Sequence, residues 1–215
     1  MAAILRGHKI FYGSAPKVAC TSLKRTFFYI ENGFEFRRFS TNGKKWNIHT
    51  LYKPQPLTKQ LKEEIDDYFR LAFVRDPVQR FLSAYSNRVL HHGNMQSELK
   101  ARSQLQAAGL PTKPDIHLFI EKFDTFTAAS QAVHHHTRPL VHFLGNDPAY
   151  FHKLFKLSEM PEFEKLIHER TGVDVKVPRL QTGGPKISRD ELSKREIKKI
   201  ERLYAADYKV FSAYL

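Results

Sequence analysis

This chain of 215 residues has one cysteine and only 22 acidic residues against 35 lysines and arginines. With Cys20 alone, no intrachain disulfide can form, so nothing in the sequence points to an oxidising compartment. No apolar stretch approaches the roughly 20 residues that cross a bilayer. The opening segment, Met1 to Ile10, has too short an apolar run for a secretory leader. The expectation is a cytoplasmic protein with no transmembrane segment. Internal repeats and low-complexity tracts are also missing.

The shortage of acid leaves a net charge of +13. That charge predicts an anionic partner, whether nucleotide, nucleic acid, acidic glycan or membrane surface, and leaves room for peripheral membrane contact. A hydrophobic content of 41% supplies a core, and the length fits one domain over residues 1–215.

Strand signals and helix signals alternate along the chain. His8 to Tyr12 reads as a strand ending at Gly13. Thr21 to Ile30 reads as a helix with Leu23, Phe27 and Ile30 on one face. Lys45 to Thr50 reads as a second strand, and Pro54 and Pro56 break the chain after it. Thr58 caps a predicted helix running through Phe69, with Leu61, Ile65 and Tyr68 at helical spacing. Leu71 to Val74 is a continuous apolar run, as a strand buried on both faces requires. Asp76-Pro77 opens a helix that reaches about Leu90, with Phe81, Tyr85 and Val89 inward and Arg80, Ser83 and Asn87 as an opposite polar stripe. Gly93 to Asp115 reads as a mobile excursion. Helical signals return at Asp115 to Phe126, Pro148 to Phe155 and Pro161 to Arg170, the last closed by Gly172. Val177 to Ile187 reads as a loop around Gly183-Gly184-Pro185. Ser193 and Glu196 form a capping box for a final helix that buries Ile197, Ile200 and Tyr204. The alternation, with no hairpin signal recognised, predicts an α/β protein with a central parallel sheet.

Two segments carry the chemistry. Phe11 to Arg25 and Arg70 to Tyr85 each read as a buried strand, a tight polar turn and the first turns of a helix. At the first junction, helix N-terminal amides favour an anion, Lys17 adds a charge, and Thr21 and Ser22 add hydroxyls. Small residues at Ala15, Ala19 and Ser22 let a ligand approach the backbone. The G-x-x-x-x-G-K-[ST] phosphate loop is absent, which disfavours a nucleotide kinase. The bland alternative is an ordinary strand–helix turn with an exposed lysine. At the second junction, Arg75 lies where open α/β sheets bind ligands and can grip phosphate in bidentate fashion. The bland alternative there is a structural Arg75–Asp76 pair. Two such junctions suit a nucleoside with phosphates at both ends.

Taken together, these segments resemble the carbohydrate sulfotransferases related to chondroitin and dermatan 4-O-sulfotransferases (sulfotransferase family 2). Pro16-Lys-Val-Ala-Cys-Thr-Ser-Leu-Lys-Arg25 is similar to the family's 5′-phosphosulfate loop. Arg70 to Tyr85 is similar, almost position for position, to its 3′-phosphate segment. Weaker echoes are His136-Thr-Arg-Pro139 before Phe143-Leu-Gly145, and Asp207 to Tyr214 at the end of the chain. The resemblance implies a three-layer αβα, P-loop-NTPase-like sulfotransferase fold, with residues 93–137 as an acceptor-side excursion. It implies a donor, 3′-phosphoadenosine 5′-phosphosulfate (PAPS), which leaves as the bisphosphate PAP. By the same resemblance, Val18, Ala19, Cys20, Thr21, Ser22 and Leu23 hold the 5′-phosphate, Arg75 and Ser83 hold the 3′-phosphate, and Lys17 meets charge on the departing oxygen. No metal is required. The implied acceptor is a hydroxyl of a glycan or glycoconjugate, and nucleic acid is not the expected partner.

A base must take the acceptor proton, and histidine suits that task. His49 is the first candidate and His136 the second; Asp115 and Glu121 are the carboxylate alternatives. His134-His135-His136 is not read as a metal site, because ligands usually come at helical or turn spacing. A nucleic-acid module would interleave aromatic and basic residues on one face, and Phe34 to Phe39 is one short stretch of that kind.

Overall fold

The computed structural model describes residues 2–52, 59–180 and 183–215. The expected break at Pro54 and Pro56 and the Thr58 cap lie outside the described residues. The chain forms two compact units, one of residues 1–74, 140–181 and 210–215, the other of residues 75–139 and 182–209.

The first unit is mixed α/β. Its sheet has the order β1-β2-β5-β6, with β1 at Ala2–Leu5, β2 at Ile10–Gly13, β5 at Phe69–Val74 and β6 at Lys153–Lys156. β2, β5 and β6 run parallel, while β1 returns antiparallel on β2 through a tight turn at Arg6–His8. β2 is buried at every position. Because side chains alternate across a strand, Tyr12, Leu71, Phe73 and Phe155 share one face. Onto that face pack Phe27 of α1 (Cys20–Asn32) and Phe163 of the helix Met160–Thr171, with ring centroids 5.2 Å apart for Tyr12–Phe27 and for Phe73–Phe163. Leu23, Phe27 and Ile30 are buried, as the helical spacing predicts. On the other face, Leu144 and Phe151 press against Gly13.

Three expectations fail here for identifiable reasons. Lys45 to Thr50 is a strand only at Lys45 and Trp46. β3 (Phe39–Thr41) and β4 (Lys44–Trp46) form a separate hairpin, followed by the short helix α2, Ile48–Leu51. Asn42-Gly43 makes its turn with φ of 48° and 69°, the hairpin signal that the sequence does carry. The helix α3 stops at Lys59–Glu64, and Phe69 begins β5 instead. Leu154 and Phe155 belong to β6 rather than to a helix. A run this short cannot be told from a helix turn by periodicity alone.

The second unit is helical. α4 (Pro77–Tyr85) is capped by the Asp76 carboxylate, which accepts from the Gln79 amide, and passes into a π-helical turn at Ser86–His91. α5 (Asn94–Ser97) and α6 (Leu99–Ala107) replace the expected mobile excursion. Met95, Ala101 and Leu105 are fully buried there, and so few apolar anchors make a weak periodic signal. α7 (Ile116–Glu121), α8 (Phe123–Ala129) and α9 (Gln131–Thr137) follow. The helix Lys194–Leu203 begins at the Ser193–Glu196 capping box and buries Ile200, with Ile197 half-buried. Among the described residues, no helix is long and apolar enough to cross a membrane.

Gly13 ends β2 without a side chain because there is no room for one. A Cβ there would meet Phe151 Cε1 at 2.7 Å and Leu144 Cδ2 at 3.2 Å. Gly13→Ala should lower the midpoint of chemical unfolding by the equivalent of about 1–3 kcal/mol, as overpacking does. An unchanged midpoint would mean that Phe151 yields freely.

Candidate functional site

In the first unit the site is built on the turn between β2 and α1. Lys17 and Ala19 both adopt left-handed backbone conformations, with φ of 68° and 58°. For residues with a Cβ this costs roughly 1–2 kcal/mol each, and such strain clusters where a loop must hold a particular shape. Ala19 is the N-cap of α1, and no side chain bonds to the helix start from that position. The first turn of α1 also holds no acidic residue. By contrast, α4 is closed by Asp76 and α2 by Asn47. The first amides of a helix have no intrahelical acceptor. Those of α1 therefore start beside a half-exposed lysine, Lys17, with no carboxylate of the same turn competing for them.

Within the predicted loop, Val18 and Leu23 are fully buried, so neither presents its side chain to a ligand. Cys20 and Thr21 are half-exposed. Ser22 is buried, and its hydroxyl oxygen accepts from the Leu180 amide at 3.3 Å, which ties this turn to the loop after the helix Met160–Thr171. Thr21 Oγ1 lies 2.9 Å from His49 Nε2. The first-choice base thus touches a residue of the predicted 5′-phosphate loop.

His49 is held by α2, whose two ends are both fastened. The Asn47 side chain accepts from the amides of His49 and Thr50 at 2.8 and 3.1 Å. At the other end, the ammonium of Lys24 donates to the carbonyl of the C-cap residue Tyr52 at 2.9 Å. The Tyr52 hydroxyl donates in turn to Glu31 on α1. Lys24 is fully buried, and that burial pushes its pKa down to about 8, with Cys20 acting weakly in the other direction. Sequence reasoning missed Lys24, Asn47 and Tyr52 as parts of this arrangement. Asn47 alone had a readable signal, an N-cap residue before Ile-His-Thr.

The second unit holds Arg75, Ser83 and His136. Arg75 and Ser83 are half-buried. Burial lowers the Arg75 pKa, as does Arg80, while Asp76 opposes both; arginine stays protonated regardless. The expected polar stripe is corrected by the structure. Arg80 is fully buried and Asn87 nearly so, and of the three Ser83 alone is half-exposed. Arg80 donates to the carbonyl of Arg138, the C-cap of α9, with its guanidinium 5.9 Å from the Tyr204 ring centroid. The Tyr204 hydroxyl donates to the neighbouring Thr137 carbonyl. Helix α9 carries His134, His135 and His136, and so it is clamped at its end.

His136 Nδ1 lies 2.7 Å from the Ala132 carbonyl, which can only accept. Nδ1 therefore carries the proton, and in the neutral ring Nε2 keeps its lone pair. A groove of about 1130 Å³ opens beside these histidines and is also lined by Lys100, Glu98, Asp124 and Thr127. Asp115 accepts from the Leu118 amide at 2.8 Å as the N-cap of α7. Among the described residues, no group of three or more His, Cys, Asp and Glu side chains could hold a metal ion. The Gly183-Gly184-Pro185 loop packs on the π-helical turn, where Ser86 donates to the Pro185 carbonyl at 2.6 Å.

Residues 2–214 match the protein family described as Sulfotransferase family. No curated protein and no solved structure matches the chain.

The buried Lys24 sets a pH dependence. Its folded pKa of about 8 lies below its ordinary value of 10.5. Between those values the unfolded chain binds more protons, so the Lys24 contribution to stability rises with pH across that window. The full rise is on the order of 3 kcal/mol. Unfolding midpoints measured from neutral pH upward should show it in the wild type, and Lys24→Met should remove it. Parallel curves for the two proteins would show that Lys24 keeps its ordinary pKa in the folded chain.

Proposed function

The chain belongs to the sulfotransferase family, and from that premise we propose that it moves a sulfuryl group from PAPS to a hydroxyl of a carbohydrate or glycoconjugate. The observation that carries this reading is the start of α1. A 13-residue helix begins at a strained Lys17–Ala19 turn with no side-chain cap and no acid in its first turn. Such a helix start, with Lys17 in the turn just before it, has the character of an anion site. Ala19 is half-exposed and leaves the backbone there open to close approach, whereas Ala15 is buried in the core. The wider fold proposed with this reading is the three-layer, P-loop-like arrangement of the family.

Lys17 holds the 5′ end of the donor and offsets the negative charge that builds on the phosphate oxygen as the sulfur–oxygen bond breaks. That charge is largest in the transition state, so the contact accelerates the reaction rather than only binding the donor. The backbone from Val18 to Leu23 and the Thr21 hydroxyl hold the 5′-phosphate. Arg75 and Ser83 hold the 3′-phosphate, the group that separates this donor from ordinary adenylates. His49 takes the proton from the acceptor hydroxyl as the new sulfur–oxygen bond forms. Its Nε2 is the atom that Thr21 reaches, and Thr21 in the donor loop links the base to the bound donor. His136 supports a second assignment, since its bond to Ala132 leaves Nε2 as the basic nitrogen. No metal is needed, because a sulfuryl group carries less charge than a phosphoryl group.

The donor assignment is tested by thermal melting with nucleotides. PAP should raise the melting temperature clearly more than AMP does, because a ligand selective for the folded state stabilises it by mass action. Arg75→Ala or Ser83→Ala should erase that difference. Equal stabilisation by PAP and AMP in the wild type would overturn the roles of both residues.

The catalytic assignments separate in turnover. Lys17→Ala should reduce the rate by about 10²–10³ with PAP binding largely kept. His49→Ala should abolish transfer from PAPS with PAP binding intact, and His136→Ala should cause a milder loss. A dead His136→Ala beside an active His49→Ala would reverse the two roles.

A further inference from the structure

The β3–β4 hairpin presents an aromatic and basic surface that donor chemistry leaves unused. Phe39 and Trp46 are cross-strand partners, and their rings stack 5° from parallel at 5.9 Å. Lys44 lies on the same face, its ammonium 5.0 Å from the Trp46 ring centroid. The aromatic contacts continue through Phe36 and Phe28 to Phe34. Phe36 is the buried root of this row, and Arg25 holds its carbonyl at 2.8 Å. Phe34 and Phe39 are 61% and 49% exposed. Among the described residues, the other large apolar side chains left exposed are Tyr29, Leu51 and Leu99, so four of these five lie between residues 29 and 51. Arg37, Arg38, Lys44 and Lys45 are exposed around the hairpin rings, with no acidic residue from Phe36 to Thr50, while exposed Glu31 and Glu35 lie near Phe34 at the end of the row.

Scattered exposed apolar residues are ordinary, but a contiguous aromatic row beside a cluster of cations marks an interaction surface. We propose that this hairpin docks the protein on an anionic lipid surface, with the exposed Phe34 and Phe39 entering the interface, the half-buried Trp46 beside them and the four cations meeting headgroups. Charge complementarity selects an anionic partner. The apolar rings select a bilayer over a soluble polyanion. A nucleobase or a sugar stacks on a free aromatic face, but Phe39 and Trp46 already cover one face of each other. Phe34 and Leu51 offer such ligands nothing to hydrogen-bond. Aromatic rings at headgroup level with flanking lysine and arginine are what interfacial binding uses. This inference does not rest on sulfuryl transfer.

Trp46 is the single tryptophan of the chain, so its emission reports this site directly. With equimolar phosphatidylcholine–phosphatidylserine vesicles, the emission should shift to the blue and be quenched by lipids brominated on their acyl chains. Pure phosphatidylcholine vesicles should do much less, and high salt should weaken the response. Reversing the charges (Arg37→Glu, Arg38→Glu, Lys44→Glu, Lys45→Glu) should lower partitioning by roughly ten-fold or more. Phe34→Ser with Phe39→Ser should lower it as well, and these exposed positions leave the core untouched. Unchanged, unquenched emission with the mixed vesicles would overturn the proposal. So would an equal response to soluble heparin or to a single-stranded oligonucleotide without lipid, which would identify a polyanion site instead.

Discussion

The turn from β2 into α1 is the constraint on which the first unit depends. β2 is buried along its whole length, and its last residue has no space for a methyl group. The chain must therefore leave the sheet at Gly13 and begin α1 at Cys20, within a short loop. It does so by placing two residues with side chains, Lys17 and Ala19, in left-handed conformations. The helix then begins without a capping side chain, so its first amides and Lys17 are gathered at one place. Backbone strain, an uncapped helix start and a lysine thus coincide in that connection.

A second theme is the buried cation. Lys24 in one unit and Arg80 in the other are both fully buried, and neither is a surface charge that happens to be covered. Each donates to the C-cap carbonyl of a short helix, Tyr52 of α2 for Lys24 and Arg138 of α9 for Arg80. Each of those helices carries candidate base histidines. Helices this short gain little from their own hydrogen bonds. The last carbonyl of such a helix also lacks an intrahelical partner, and a buried donor is an effective anchor for it. The cost of burying the charge is visible in the lowered pKa of Lys24.

How legible each part was follows from its physics. Leu23, Phe27 and Ile30, or Phe81, Tyr85 and Val89, recur at helical spacing, and all six are buried. Asp76-Pro77 and Ser193 with Glu196 declared their helices through capping chemistry, which is local. Asn42-Gly43 is an equally readable hairpin turn, and it ends the strand at Trp46 rather than letting it run to Thr50. Residues 94–107 were opaque, because helices with only three buried residues look like polar loop. The polar stripe Arg80–Ser83–Asn87 misled because spacing assigns residues to a face without saying what covers that face. Here Tyr204 and the Thr137–Arg138 backbone, far along the chain, cover Arg80.

By itself the sequence determined the charge, the identity of the two strand–turn–helix segments, the residues Lys17, Thr21, Arg75 and Ser83 within them, and the helices that begin with their own caps. These depend on residue type and on neighbours a few positions away. The tertiary structure alone decided that Thr21 meets His49, that Lys24 and Arg80 face inward to hold helix ends, and that Phe39 and Trp46 stand together on an exposed hairpin. Such pairings join residues that local propensity treats as independent. Burial has to be known before a charge can be told from a ligand contact, and burial is a property of the folded whole.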